Sequence, residues 1–454
     1  MKRFWYFFLL MVLLAAGAIV FLARSNPEPE YEGRPITSWI GDLVSSDYEI
    51  HNKAATAVEA AGAGAVPYLV SALHKRETVL IRVRAILAAR LPFLRLRAVD
   101  PSLLRERAAE QLGVVRGQGA TAVPALIAAL EDDHLNVSSE IQRALRRIGP
   151  PSLPALVAAL RCPNARIRQR SAEVITDFGY AARSAVPALC SALKDPDEGV
   201  RSNAARALGT TSGGEATAVA ALILGLDDPV PAVRTAASGS LGTLGPLAKS
   251  ATAALSRALS DRDAGGRVAA AKALWLVGGQ PDRVVPVLIE ALQDPRVRWQ
   301  ASFVLGEIGP GAGEAASALI AALKQEKVPR ALRAPPSSAV ALGRIGRAAV
   351  PELIRTLQDR ESSARTSAAI ALGMMGPQAE QAIPGLVRLL DDPDEEVRQA
   401  SVLSLGAIAP QTKELLPALL KMMGEDDIFI RSMAAAVLQR IDSGAAAEVR
   451  RLEK

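Results

Sequence analysis

Apolar and polar positions along the chain recur in units of about 33 residues, each reading as two short amphipathic helices joined by a tight turn. The stretch Val186 to Gly209, VPALCSALKDPDEGVRSNAARALG, shows one unit in full. A first helix carries Pro in its opening turn, an Asp-Pro turn follows, and a second helix opens with Val-Arg and closes at Leu-Gly. The first-helix Pro, or its substitute, stands at Pro124, Pro154, Pro187, Ala220, Ala253, Pro286, Ser317, Pro351, Pro384 and Pro417. The turn Asp returns as Asp195, Asp228, Asp261, Asp294, Asp359 and Asp392. The Arg returns as Arg168, Arg201, Arg234, Arg267, Arg298, Arg333, Arg365, Arg398 and Arg431. A sustained period of this kind predicts an all-α array in which each unit buries its apolar face on the next.

The recurring residues have local physical roles. Asp195 is placed to cap the amides of the second helix, with Pro196 at that helix's first position. Glycines such as Gly245, Gly309 and Gly376 stop the second helix and re-aim the chain. In the closing pair, seen at Leu208-Gly209, Leu241-Gly242, Leu305-Gly306, Leu342-Gly343, Leu372-Gly373 and Leu405-Gly406, Leu packs and Gly leaves room for the neighbouring helix. Aromatic residues are only 4% of the chain, so Ala and Leu supply the packing and no large aromatic-lined pocket is expected.

The first-helix Pro, turn Asp and Val-Arg opening resemble HEAT repeats, especially the short HEAT-like repeats named after the phycobilisome lyases. The resemblance covers Val123 to Asp442 in ten units and reaches weakly back to Ile36. It implies a right-handed α-solenoid in which turn Asp and second-helix Arg hydrogen-bond along the stack. On that implication the Arg series is structural; the alternative is an anion-binding ladder.

Ahead of the repeats, Phe4 to Ala23 is a run of 20 residues without charge or Pro, preceded by Lys2 and Arg3. That length matches a helix crossing the bilayer core. The flanking charges place the N-terminus in the cytoplasm of a bacterial cell, with a single span in the inner membrane and the array in the periplasm. A signal peptide, cleaved to leave a secreted array, is the rival reading. Residues 25–35, with three prolines and three acids, read as an extended spacer rather than a folded element. Thr37 to Leu43 then reads as the opening helix, with Trp39 covering the end of the core.

Two stretches depart from the pattern. From Pro67 to Pro124 the spacing fits neither one unit nor two, and residues 75–107 contain a positive excess equal to the whole net charge of +6. Within this irregular region, 36–122, Arg90, Arg95 and Arg97 are candidate contacts to anionic lipid; an ordinary helix with a solvated Arg face is the alternative. Farther on, Pro335 and Pro336 fall where a second helix belongs, so that helix should start late, after a basic loop. Residues 443–454 form a tail.

On each second helix the first, fifth and ninth residues after the Arg share a face. That stripe is polar in early units, as in Gln169, Glu173, Asp177 and Ser202, Arg206, Thr210. Later it turns apolar, giving Leu276, Trp299, Phe303, Ile370 and Met374 as candidate partner-binding residues. Tight curvature burying Trp299 and Phe303 between units is the competing expectation. Trp275, in the place of the usual Gly, is expected to fill a gap between repeats.

The sequence carries none of the common catalytic or metal-binding signatures. Of His51, His74 and His134 none is followed by Glu, and no Cys-x-x-Cys or phosphate-binding loop occurs. Cys162 and Cys190 are not expected to pair. The resulting expectation is a non-catalytic, membrane-tethered scaffold for a protein or peptide, with no cofactor, no metal, no nucleic acid and no small-molecule substrate. A bilin-lyase-like enzyme and a lipid-associated spacer are the alternatives.

Overall fold

A helix with one apolar stripe is stable only when that stripe is covered, and in this chain the cover comes from the neighbouring repeats. The computed structural model describes residues 28–75, 100–115, 119–326, 335–408, 416–424 and 428–441. The apolar run Phe4–Ala23, the arginines Arg90, Arg95 and Arg97, Arg333 and the tail lie outside them. The described residues fold into two compact units, divided between Gly213 and Gly214.

In the first unit, helices α1 (Ile36–Asp42), α2 (Tyr48–Ala61), α3 (Val66–Leu73), α4 (Pro101–Val114), α5 (Val123–Ala129), α6 (Leu135–Ile148), α7 (Leu153–Ala159), α8 (Ala165–Asp177), α9 (Val186–Ala192) and α10 (Glu198–Thr211) follow in order. The second unit contains α11 (Ala216–Gly225), α12 (Pro231–Leu244), α13 (Thr252–Ala258), α14 (Ala264–Gly278), α15 (Pro281–Ala291), α16 (Arg298–Ile308), α17 (Ala316–Gln325), α18 (Ser337–Ile345), α19 (Val350–Thr356), α20 (Ser362–Met375), α21 (Ile383–Arg388), α22 (Glu395–Ile408), α23 (Leu416–Met422) and α24 (Ile428–Ile441). Even-numbered helices are the second helices of the repeats. The late start expected of α18 is seen: Pro336 is its N-cap and Ser337 its first residue.

Leu208, Leu241, Leu274, Leu305, Leu342, Leu372 and Leu405 are all without solvent exposure. Each such leucine contributes about 1.5–3 kcal/mol of burial, and the repeat turns that local gain into a continuous interior. The glycine after it works as the sequence implies. A Cβ on Gly242 would lie 3.1 Å from Ala273 Cα, and one on Gly373 2.9 Å from Ser404 Cα, so these second helices meet backbone to backbone. Where the glycine is replaced by a long side chain, Arg146 in α6 and Trp275 in α14, the following second helices, α8 and α16, touch only sparsely. Trp275 is half-buried there.

Three expectations need correction. Residues 30–35 are folded: strands β1 (Glu30–Tyr31) and β2 (Arg34–Pro35) pair antiparallel, and Glu32 and Gly33 turn the corner with φ of 53° and 71°. Strands of two residues leave no periodicity to read. The hairpin is held by α1, where Trp39 Nε1 donates to the Tyr31 carbonyl at 3.0 Å and Arg34 lies 4.0 Å above the indole ring. Trp39 is buried under it. The second correction is that Asp197, not Asp195, caps α10, accepting from Val200 N at 2.9 Å, with Pro196 ahead of the cap. Asp195 instead accepts from Asp197 N at 2.9 Å, an Asx turn that shifts the helix start past the proline. The third concerns the outward stripe, whose first position is buried at Ser202, Val268 and Thr366. Steps of four residues advance about 400° on a helix, so the first and ninth positions differ by about 80° and the first turns toward a neighbour.

Tyr48–Leu73 is, by length and composition, the one described run apolar enough to cross a membrane. It is not a single rod: Gly62, at φ 55°, ends α2, and Val58 and Leu69 on either side are fully buried. Cys162 and Cys190 are not joined by a disulfide.

Candidate partner-binding face

The fifth and ninth positions of the second helices point away from the interior, and what they carry differs between the units. In the second unit, Trp299 is 60% exposed, Phe303 44% and Met374 46%, with Leu276 at 41%; Ile370 is half-buried. Trp299 differs from the buried Ser202, Val268 and Thr366 in lying in the first turn of its helix, since α16 begins only at Arg298. The fifth-position row continues beyond the expected residues: Phe303 in α16, Val340 in α18, Ile370 in α20 and Leu403 in α22 are consecutive, and Leu403 is 42% exposed. Leu403 and Val340 were legible by the same count back from the closing Leu-Gly. Lys272 sits beside this row, its Nζ 4.9 Å from the Phe303 ring and 3.1 Å from Glu307. Arg344, at the ninth position of α18, is exposed, its stem against Gly306.

The first unit has charges in the same row. Glu110, Arg143, Glu173 and Arg206 occupy the fifth positions of α4, α6, α8 and α10, alternating in sign. They are committed to nearby side chains: within one helix Arg107 bonds Glu110 at 2.7 Å, Arg143 bonds Glu140 and Arg206 holds Asn203 at 2.7 Å, and between α6 and α8 Gln142 reaches Glu173 at 3.2 Å and Arg146 pairs with Asp177. Glu140 is buried beneath them. Burial pushes its carboxyl above the usual range, Glu110 and Glu106 adding to the effect, against the opposing pull of Arg143 and Arg147.

The Arg series is engaged within the stack. Arg168 grips Asp195 through two bonds of 2.8 and 2.7 Å, Arg234 grips Asp261 at 2.6 and 2.7 Å, and Arg365 grips Asp392 at 2.8 and 2.7 Å. Each also donates to its own turn, as Arg234 Nη1 does to the carbonyls of Asp228 and Pro229. Where the next turn lacks the Asp, Arg298 takes Gln325 at 2.6 Å. Planar guanidinium matches carboxylate in this bidentate way, and lysine would not. Burial pushes the carboxyls of Asp195 and Asp261 upward, but the hydrogen bonds from Arg168 and Arg234 and from backbone amides outweigh it, leaving both below the ordinary value. These pairs therefore answer to the structural reading of the ladder; their guanidinium donors are occupied. Among the described residues no three His, Cys, Asp or Glu side chains gather as metal ligands.

Comparison with known proteins adds the family. HEAT-repeat patterns match residues 91–176, 153–242, 186–274, 251–334, 337–406 and 383–453. No curated protein matches the chain. Among solved structures, the Kap95:Nup1 complex is similar over 91% of this chain and 62% of that one, at 14% identity and a TM-score of 0.58. Kap121p bound to Nup53p and Kap121p bound to RanGTP are similar over 89% and 90% of this chain and 48% of theirs, at 14% and 15% identity and TM-scores of 0.50. The chain thus spans about half to three-fifths of the length of these arrays, and at such identity the likeness is one of fold. Helix pairs that share a period, buried Leu-Gly ends and Arg–Asp staples across successive turns are all explained together: the chain belongs to the HEAT-repeat family.

Proposed function

We propose that the protein is a non-catalytic scaffold that holds a protein partner on the second-helix face of residues 264–408. One observation carries this reading: the outward row that is filled in the first unit by charges bonded to neighbouring polar side chains becomes, in the second, a row of exposed and half-buried apolar side chains. Contiguous exposed apolar surface on a folded protein marks contact with another molecule, and exposed Trp and Phe are favoured anchors. Arrays of similar fold support it by analogy, Kap95 being seen with Nup1 and Kap121p with Nup53p and RanGTP. Within the HEAT-repeat family we place the units with the short HEAT-like type named after phycobilisome lyases, as a repeat geometry and not as an activity.

In the same reading the apolar run Phe4–Ala23 tethers the array to the bacterial inner membrane, with the repeats in the periplasm. Carbonate extraction followed by protease accessibility from the periplasmic side tests that part by itself. The binding part is tested by affinity capture from native membranes with the Trp299→Ala/Phe303→Ala double variant. The expected result is loss of the captured partner with the melting temperature little changed. A strong fall in melting temperature with capture intact would defeat the reading.

A further inference from the structure

We infer that the segment received by this face is an amphipathic α-helix with an acidic flank, laid across α16, α18, α20 and α22 with its apolar stripe on Phe303, Val340, Ile370 and Leu403. The inference rests on the partner-binding reading above and adds the kind of partner.

Length is the first argument. Packed helices lie about 8–10 Å apart, so the row from α16 to α22 is about 27 Å long, the span of a helix of about 18 residues. Width is the second. Trp299 precedes Phe303 by one turn in α16 and Met374 follows Ile370 by one turn in α20, so the apolar surface is about 6 Å wide on each of these helices and widens to opposite sides of the row, a diagonal band that a helix crossing at a tilt would cover. An extended strand is narrower, and its same-side residues recur about every 6.7 Å, out of step with rows about 9 Å apart. A heptad advances about 10.5 Å along a helix, and a modest tilt brings it into step with the rows.

Charge is the third argument. Lys272 is already neutralised by Glu307 at 3.1 Å. Arg344 makes no hydrogen bond or ion pair among the described residues and stands exposed beside the apolar row, one turn from Val340. The surface therefore offers one uncommitted guanidinium on one flank. A helix with Glu or Asp bordering its apolar stripe on that side would satisfy it, and a basic border would be repelled.

The test uses the full chain and three labelled synthetic peptides of about 21 residues, followed by fluorescence anisotropy. The first has Leu at the first and fourth positions of each heptad with Glu bordering them. The second has the same composition with its leucines placed at alternate positions of the central stretch only, and the third replaces the bordering Glu with Lys. The first should bind, and the second should bind about tenfold more weakly or worse. Phe303→Ala/Leu403→Ala should weaken the first peptide about tenfold. Arg344→Glu should weaken the first peptide and strengthen the third, a reversal that simple loss of structure cannot produce; circular dichroism of each variant checks the fold. Equal binding of the first two peptides, no binding by any of them, or indifference to Arg344→Glu overturns the helical, acid-flanked partner and leaves the capture experiment to decide the binding face. Peptide binding unaffected by Phe303→Ala/Leu403→Ala overturns the face itself.

Discussion

Arg234 and Asp261, 27 residues apart, are joined by two bonds of 2.6 and 2.7 Å, and their side chains are only 8% and 6% exposed. The pair links one repeat's second helix to the next repeat's turn, where Asp261 also accepts from Asp263 N at 2.8 Å. Removing one partner strands the other charge away from water. Arg234→Ala should therefore cost about 3 kcal/mol of unfolding free energy, read from urea denaturation. Arg234→Lys should recover only part of it, because an ammonium cannot match both carboxylate oxygens. A cost within about 0.5 kcal/mol, typical of surface sites, would show that the pair is solvent-screened.

Acid acts on these staples with a definite sign. The folded-state values of Asp195 and Asp261 lie below the ordinary one, and Asp359 is lowered as well, by the side-chain bond from Lys324. Unfolded chains then take up protons before the folded one does. The stability due to these groups is complete above about pH 5 and is lost as pH falls through about 4 and below. The urea midpoint should be level from neutral pH to about 5 and then fall. Asp195→Asn should lower the neutral plateau and flatten the acid slope.

Glu140 has the opposite sign. Burial raises its folded value, with Glu110 and Glu106 adding to the effect and Arg143 and Arg147 opposing it, so its charged form is disfavoured on folding. The penalty is present above the folded value and relieved as pH falls through it. Glu140→Gln should raise the urea midpoint at pH 7, and the gain should shrink toward zero near the ordinary carboxylate value of about 4.3. A variant less stable than the parent at pH 7 would mean that the ion pairs to Arg143 and Arg147 outweigh burial.

The close approach at the Leu-Gly ends gives a packing test. Gly373→Val would drive its side chain into Ser404, whose Cα lies 2.9 Å from the position of the added Cβ. A loss of about 1–3 kcal/mol is expected, seen as a lower melting temperature. Trp299→Ala/Phe303→Ala should by contrast cost less, because Trp299 is 60% and Phe303 44% exposed and substitutions at surface sites cost about 0.5 kcal/mol or less each.

The helices were legible because each repeat states its own boundaries in Pro, Asp, Val-Arg and Leu-Gly, and thirty-odd residues later states them again. The Arg–Asp staples were legible only through the family resemblance, since a spacing of 27 residues joins two different repeats. The β1–β2 hairpin escaped notice because its order comes from Trp39 and Arg34 rather than from any strand pattern. The outward face was half-read. Trp299, Phe303 and Met374 proved exposed, but counting from the Arg misses Val340, because the late start of α18 shifts the register there; Leu403, five residues after Arg398, was within its reach and was not singled out, and the count took no account of the rotation that buries Thr366.

The hairpin has a further effect. A stack of identical units is inherently open-ended, since the surface that receives the next pair is present on every pair. At the α1 end that surface is roofed by Tyr31, whose ring meets Trp39 edge-on at 6.0 Å, and locked by the 2.7 Å bond from Arg34 to Asp42. The six hairpin residues thus cover α1 where, elsewhere in the array, another helix pair would lie.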